Sequence, residues 1–218
     1  FTVSILFIKS SSHLKASNEL AREYGAYEGY EGSKYGTGEF WKIKDYLTRD
    51  YGREMKEVKE KFFNEDIPTL DDWNELRLNM EEHGLYNAYL MAIAPNQSSA
   101  YIQNATSGVM PNTQIIEERK YGNLTTYFPM PFLREDNFLL WARTAYNMDM
   151  KTISNVVGTF QRHVDQGIST TMFYNASTPT SKIVQDIYYG HKIGLKSFYY
   201  VRPNNDSSFD EGCIACGV

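Results

Sequence analysis

The residue type with the most specific chemistry in this sequence is cysteine, and only two are present, Cys213 and Cys216. A Cys-x-x-Cys pair can act as a redox dithiol, can supply half of a zinc site, or can arise by chance. A zinc site would need more ligands, and the four histidines are scattered at positions 13, 83, 163 and 191. The segment 204–218 is acidic and rich in Ser, Asn and Gly, which predicts a mobile tail. An exposed dithiol on such a tail suits thiol–disulfide exchange, and the other interpretations stay open.

Two adjacent tyrosines, Tyr199 and Tyr200, lie in the segment 196–201, KSFYYV. These residue types predict a buried β-strand. Because neighbouring strand residues point to opposite faces of a sheet, the two rings are not expected to share a face. On the residues alone, two buried aromatic side chains are the simpler interpretation.

A third segment, Pro95-Asn96-Gln97-Ser98-Ser99, leads into a predicted helical turn. Proline is favoured in the first turn of a helix, and the free N–H groups and dipole of a helix N-terminus attract anions. The segment could therefore hold a phosphate group, although a plain helix cap with polar side chains explains the same residues. Neither a Walker motif nor a GxGxxG motif accompanies it.

His163 and Asp165 stand two residues apart in the segment RHVDQG. A histidine beside an acid can take part in nucleophilic catalysis when a serine or cysteine pairs with it. The local sequence contains no familiar nucleophile signature, so a structural or solvated role is the preferred interpretation.

The composition is that of a folded protein of 218 residues and 25.2 kDa. Apolar residues make up 42% and aromatic residues 15%, which permits a sizeable core and argues against a disordered, collagen-like or coiled-coil chain. The net charge of −5 argues against nucleic-acid binding as the main task. The apolar start, FTVSILFI, is too short to span a membrane and lacks a signal-peptide pattern. We therefore expect a cytoplasmic protein, and the first residue, Phe1, suggests a processed or truncated chain.

Periodicity and turn residues predict the elements that position these groups. Thr69 and Asp72 predict a capping box at the start of a helix that Gly84 ends, and Gly122 with Asn123 predicts the turn of a hairpin. The other predicted helices are 13–24, parts of 42–63, 139–146, 152–164 and 180–193, the predicted strands are 169–174 and 196–201, and 86–94 is either helix or buried strand. The strand–helix–strand order at the end predicts a parallel βαβ unit in one α/β domain followed by the tail.

Seven segments together resemble the C-terminal part of the large (alpha) subunit of class I ribonucleotide reductase, most closely the class Ib type. They occur in the family's order and cover roughly residues 14–218. The segments are GSKY at 32–35, GLYN at 84–87, APNQSSAYIQNAT at 94–106, YFPMPF at 127–132, RHVDQGIS at 162–169, GLKSFYY at 194–200 and EGCIAC at 211–216.

The resemblance implies the last part of a ten-stranded α/β barrel followed by a flexible redox tail. It predicts an atypical leader at 1–12, the barrel portion at 13–203 and the tail at 204–218. The implied activity is the reduction of ribonucleoside diphosphates to 2′-deoxyribonucleoside diphosphates for DNA synthesis by a radical mechanism. The family's radical cysteine, its partner cysteines and its catalytic glutamate lie upstream of this region. We therefore expect the chain to work with a separate N-terminal piece. The leader at 1–12, which does not match the family well, is interpreted as residue from a gene split, an intron or an intein boundary.

The resemblance also implies roles for individual residues. Tyr199 and Tyr200 match the tyrosine pair that relays the radical, since a phenol can lose an electron and a proton together. Cys213 and Cys216 match the tail dithiol, which re-reduces the active-site disulfide. The segment Pro95–Ser99 matches the element that holds the substrate's diphosphate.

Three positions in and beside that diphosphate element depart from the family pattern, which resembles PTGSIS or PTASTS. They are Asn96, Gln97 and Ala100. An amide replaces the family's hydroxyl at position 96, whereas the backbone N–H donors are retained.

The expected partners are a ribonucleoside diphosphate, the small (beta) subunit, the N-terminal part of the large subunit and a thioredoxin- or glutaredoxin-like protein, with no nucleic acid and no membrane. No cofactor or metal is expected in this chain, and a dimetal radical centre of iron or manganese is expected on the small subunit. Two alternatives stay open. The chain could be a non-catalytic remnant or binding module for the small subunit or a redoxin, or a thiol carrier that uses the tail alone.

Overall fold

The computed structural model describes residues 2–48 and 67–204. The helices are α1 Thr2–Tyr24, α2 Glu39–Ile43, α3 Leu70–His83, α4 Gln97–Ile102, α5 Phe138–Trp141, α6 Met150–Gln161 and α7 Thr180–Lys192. The strands are β1 Ile116–Tyr121, β2 Leu124–Pro129, β3 Thr171–Asn175 and β4 Tyr200–Asn204, and short 3₁₀ turns occupy Asp45–Leu47, Glu135–Asn137 and Ala145–Asn147.

The chain divides into two compact units. The first comprises the described residues up to Ala92 together with Thr159–Gly167, and the second comprises Ile93–Gly158 together with the described residues from Ile168. The boundary after Gly158 falls within α6. The predicted tail and the predicted helical parts of 49–63 lie outside the described residues, and the division at 12 and 203 stays a prediction.

In the first unit, α1 buries one face between Leu6 and Ala21. Phe7 is fully buried and Leu14 is 2% exposed. The sequence predicts this helix only from His13, yet it begins at Thr2. The reason is tertiary. The β-branched and aromatic residues of the first turns have weak helix propensity, and burying Phe7 against other rings stabilises the helix there.

Helix α3 packs against α1, and its predicted start and end are confirmed. The Thr69 hydroxyl accepts from the Asp72 N–H at 3.2 Å, and the Asp72 carboxylate accepts from the Thr69 N–H at 2.7 Å. Gly84 ends the helix with φ +74°, a region that favours glycine. The Asn18 side chain of α1 donates to the Gly84 carbonyl at 2.8 Å, so the end of α3 is tied to α1.

An aromatic cluster forms the core of the first unit. Tyr46 stacks on Trp73 with ring centroids 4.4 Å apart, and Phe7 lies 5.4 Å from Tyr46 and 5.2 Å from Trp73. Offset and edge-on ring pairs of this kind stabilise a core beyond the area they bury. The cluster therefore joins α1, α3 and the turn that carries Tyr46.

In the second unit, β1 and β2 form the predicted antiparallel hairpin. Tyr121 pairs with Leu124 next to the turn, and Gly122 has φ +60°, as the predicted Gly-Asn turn requires.

The predicted βαβ unit is also confirmed, since β3 and β4 pair in parallel around α7. Strand β3 is buried, but β4 begins only at Tyr200 and is largely exposed. The prediction of a buried strand over 196–201 is therefore wrong. Pro203 in β4 has no N–H to donate, which is typical of an edge strand.

Helix α7 is held to β3 by a buried polar group. Asp186 is fully buried and accepts from the Tyr174 hydroxyl at 3.0 Å and from the Lys182 ammonium at 2.6 Å. Burial and the hydrogen bond to Asp186 raise the pKa of Tyr174. A buried carboxylate needs such partners.

Two further predicted elements differ from the structure. The helix expected over 139–146 is limited to Phe138–Trp141, because the Ala145 N–H donates to the Asn112 carbonyl at 2.8 Å instead of continuing the helix. The segment 86–94 is neither helix nor strand. Within the described ranges the strands form two separate two-stranded sheets, and they close no barrel.

Replacing Phe7 with alanine tests the role of the buried face of α1. We expect Phe7→Ala to lower the free energy of unfolding by about 3–5 kcal/mol, because it removes a fully buried ring from the aromatic cluster. Urea denaturation followed by tryptophan fluorescence measures the change. Leu20→Ala, on the same helix at 40% exposure, is the control and should cost less than about 1 kcal/mol. Equal losses in both variants would contradict the assigned packing.

Candidate functional site

The segment Pro95–Ser99 lies where the sequence predicts it, at the start of a short helix. Asn96 precedes α4, its N–H donates to the Ser107 carbonyl at 3.0 Å, and its carbonyl accepts from Ala100 at 3.0 Å. The Asn96 side chain makes no capping hydrogen bond in the described chain. The first N–H groups of a helix have no acceptor within the helix, so they are suited to an anion.

The hairpin holds α4 in place through Tyr101. The Tyr101 ring lies 4.5 Å from the Phe128 ring, its hydroxyl donates to Glu117 at 2.8 Å, and Arg119 lies over its face at 4.5 Å. Arg119 in turn donates to the Glu117 carboxylate at 2.9 Å. The helix that follows the candidate anion-binding segment is therefore fixed by one aromatic side chain and an ion pair.

The two tyrosines are brought together in a way that strand alternation did not predict. The ring centroids of Tyr199 and Tyr200 are 4.8 Å apart with an interplanar angle of 72°. Tyr199 precedes the strand, and its N–H donates to the Thr170 carbonyl at 2.9 Å. The side chains are 65% and 45% exposed, so the interpretation as two buried core residues is wrong. Two phenols in ring contact can exchange an electron.

Three further residues belong to the surroundings of this pair. The Tyr146 ring meets Phe173 of β3 edge-on at 5.6 Å, and Phe173 pairs with Arg202 of β4. Burial raises the pKa of Tyr146, the charge of Arg202 opposes that rise, and Tyr200 adds to it. The sequence patterns did not single out Tyr146, because it lies on a 3₁₀ turn that only the fold brings to the sheet.

His163 and Asp165 lie in the first unit and make specific contacts. His163 Nδ1 is 2.7 Å from the Tyr46 hydroxyl. Asp165 accepts from the Tyr35 hydroxyl at 3.0 Å and from the Leu90 N–H at 2.8 Å. The contacts support the structural interpretation of this pair. Tyr35 belongs to the GSKY segment, whose role the residues alone did not indicate.

A small cavity of about 20 Å³ opens between these side chains, which is room for about one water molecule. Its polar lining includes Tyr35, Tyr46, Lys44, His163 and Asp165. Burial and then the positive charge of Lys44 lower the pKa of His163 to about 4; Asp45 opposes this shift, and Arg162 adds to it. The imidazole is therefore neutral at pH 7. Burial and Asp165 raise the pKa of Tyr35.

The remaining predicted residues, Cys213 and Cys216, lie outside the described residues. In residues 2–48 and 67–204, no group of three or more His, Cys, Asp or Glu side chains is placed to hold a metal ion. Nor does this part of the chain contain a helix long and apolar enough to cross a membrane.

The chain matches one protein family and several curated proteins. The family described as "Ribonucleotide reductase, barrel domain" matches residues 7–133 and 123–201. The ribonucleoside-diphosphate reductase NrdEB subunit alpha of Bacillus subtilis is 41% identical over 94% of this chain, which corresponds to 18% of that protein.

Two further relatives are also alpha subunits of ribonucleoside-diphosphate reductases. The ribonucleoside-diphosphate reductase subunit alpha of the same bacterium is 37% identical over 94% of the chain and 29% of that protein. The corresponding subunit of Mycoplasma pneumoniae is 33% identical over 99% of the chain and 32% of that protein. The chain thus spans less than a third of the length of these curated relatives.

The lowered pKa of His163 predicts a pH-dependent stability. The folded-state pKa of about 4 lies below the ordinary value of 6.5, so the unfolded chain binds more protons between these limits. Stability should fall by about 2–3 kcal/mol as the pH drops through this window. In His163→Asn the fall should be smaller by that amount. Urea denaturation at pH 7 and pH 4.5 measures it.

The control for this experiment is His191→Asn, which changes an exposed histidine on α7. It should lose as much stability on acidification as the unchanged chain, because carboxylate titration is common to all three proteins. An unaltered acid dependence in His163→Asn would show that His163 is not held neutral by the fold.

Proposed function

The chain belongs to the ribonucleotide reductase barrel-domain family, and we propose that it forms the C-terminal part of the catalytic alpha subunit of a ribonucleoside-diphosphate reductase. The reaction is the reduction of ribonucleoside diphosphates at the 2′-carbon. The observation that carries the proposal is the 4.8 Å contact of Tyr199 with Tyr200, within the family segment GLKSFYY.

The tyrosine pair is proposed to carry the oxidising equivalent through this chain. A phenol gives up an electron readily when a proton acceptor can take its proton. Both rings are exposed, so a proton acceptor or a partner protein can reach them. Phenylalanine cannot do this, because its ring has no acidic proton and is far harder to oxidise. The ring contact lets the equivalent pass from one residue to the next without a large movement.

The backbone at Pro95–Ser99 is proposed to hold the substrate's diphosphate. The support is the position of this segment at the start of α4, where the first helix N–H groups have no acceptor within the helix. Asn96 and Gln97 differ from the family pattern, but N–H donors do not depend on side-chain identity. Binding through the backbone is therefore compatible with these departures.

The parallel β3–α7–β4 unit is proposed to form the last part of a ten-stranded α/β barrel. Parallel sheets are normally covered on both faces and continued by further strands, whereas β4 is largely exposed in this chain. The remaining part of the large subunit would supply the neighbouring strands, the radical cysteine and the catalytic glutamate.

The other partners follow from the same assignment. The small subunit would supply the dimetal radical centre, with iron or manganese, and would meet the chain near Tyr199 and Tyr200. Cys213 and Cys216 would re-reduce the active-site disulfide and would themselves be reduced by a thioredoxin- or glutaredoxin-like protein. The cytoplasmic location stays a prediction.

A second candidate function is a non-catalytic binding module for the small subunit or a redoxin. The observation that favours it is the set of departures at Asn96, Gln97 and Ala100, since a chain released from catalysis is free to change its substrate-binding segment. A thiol carrier that uses the tail alone would instead reduce insulin without any other subunit.

Reconstitution tests the leading proposal. The chain is combined with the remaining part of the large subunit and the small subunit, and CDP reduction is measured. We expect turnover only in the complete mixture. Tyr199→Phe should lower turnover by more than roughly 100-fold, about 2.7 kcal/mol in the barrier, with CDP affinity unchanged.

The matched control is Tyr188→Phe, which should leave turnover unchanged. Tyr188 is also an exposed tyrosine, but it lies on α7, away from the proposed relay in sequence. Persisting turnover in Tyr199→Phe would remove the relay assignment. Binding to the small subunit without turnover in the complete mixture would favour the second candidate.

The tail dithiol gives a separate test. Cys213→Ser should stop repeated turnover driven by a thioredoxin system, because the active-site disulfide can no longer be re-reduced. One turnover per active site should remain, because the first cycle needs no re-reduction. Rapid-quench measurement of product per enzyme distinguishes a single turnover from repeated turnover. Repeated turnover in this variant would contradict the assigned role.

A further inference from the structure

The first unit contains a connected set of oxidisable rings around Tyr46. Tyr46 and Trp73 are each 1% exposed, and their rings stack at 4.4 Å with an interplanar angle of 25°. Trp41, which is only partly buried, lies 6.2 Å from Trp73 between ring centroids. Electrons pass readily between aromatic rings at these separations. The three rings therefore form a path from the surface to the buried phenol.

The phenol at the end of this path has a proton acceptor in place. The Tyr46 oxygen is 2.7 Å from Nδ1 of His163. The imidazole is neutral at pH 7, because burial and the charges of Lys44 and Arg162 hold its pKa near 4. With its own proton on Nε2, His163 accepts the Tyr46 hydroxyl at Nδ1. An oxidised phenol is a far stronger acid than an imidazolium, so its proton moves to His163 despite that low pKa.

Trp73 differs from Tyr46 in this respect. Its buried Nε1–H has no hydrogen-bond partner in the described chain. An oxidised Trp73 therefore cannot hand its proton to a neighbouring base, and it stays a radical cation that readily takes an electron from Tyr46. The two environments give the path a direction, from an indole without a base to a phenol with one.

We propose that Tyr46 and His163 form a redox-active site within the first unit, which traps oxidising equivalents that enter at Trp41. A small one-electron oxidant of the carbonate-radical class takes one electron from Trp41, and Trp73 returns that electron. Tyr46 then reduces oxidised Trp73 to its neutral form, and its phenolic proton moves to Nδ1 of His163. The products are a neutral Tyr46 radical and an imidazolium.

This site does not depend on the reductase function proposed above. It uses no residue of the Tyr199–Tyr200 pair, of the substrate segment or of the tail. Its test needs neither a substrate nor another subunit. A negative reductase assay would therefore not contradict the proposed redox site.

The experiment uses the full chain and carbonate radicals generated by flash photolysis. Samples are frozen after the exposed radicals have decayed, and tyrosyl and tryptophanyl radicals are counted by electron paramagnetic resonance. We expect a persistent tyrosyl signal, reduced at least fivefold in Tyr46→Phe with a matching rise in tryptophanyl radical. Tyr188→Phe, at an exposed position, is the matched control and should retain the signal.

His163→Asn isolates the proton transfer. Asparagine keeps an oxygen that can accept the Tyr46 hydroxyl, but an amide is too weak a base to take the proton. We expect the tyrosyl signal to fall at least fivefold while circular dichroism shows an unchanged fold. A persistent tyrosyl signal of full size in either Tyr46→Phe or His163→Asn would overturn the proposal.

Discussion

The first unit depends on burying large aromatic rings, and the tyrosine hydroxyls among them need hydrogen-bond partners. The stack of Tyr46 on Trp73 illustrates the constraint, because the ring faces exclude water while the Tyr46 hydroxyl must meet His163. Tyr30 solves the same problem by donating to the Met80 carbonyl at 2.8 Å. Each of these two hydroxyls thus ties its ring to a residue distant in sequence.

The second unit is built on a different constraint, the unequal burial of two parallel strands. Strand β3 is covered and tied to α7 through buried Asp186, whereas β4 is exposed along most of its length. A tyrosine pair at the start of an exposed strand is accessible to a partner, which a pair inside a covered strand would not be. The exposure of β4 means that this strand contributes little to the core. The same exposure suits its tyrosine pair to the proposed electron transfer.

The proposed substrate segment shows how a binding function can tolerate side-chain change. Its donors are backbone N–H groups at the start of α4, and the contacts of Tyr101 with Glu117 and Arg119 of the hairpin position α4. Substitutions at Asn96 and Gln97 leave both features in place. Anion binding at such a site depends on the path of the backbone more than on any one side chain.

The sequence by itself determined the elements whose signals are local. The capping box of Thr69 with Asp72, the Gly122 turn and the β3–α7–β4 order follow from neighbouring residues, and the ordered family segments identified the family. Tertiary structure alone decided the helical start of α1, the end of α5 after Trp141, the exposure of Tyr199 and Tyr200, and the meeting of Tyr46 with His163. These features depend on contacts between residues distant in sequence, on which local propensity and periodicity carry no information.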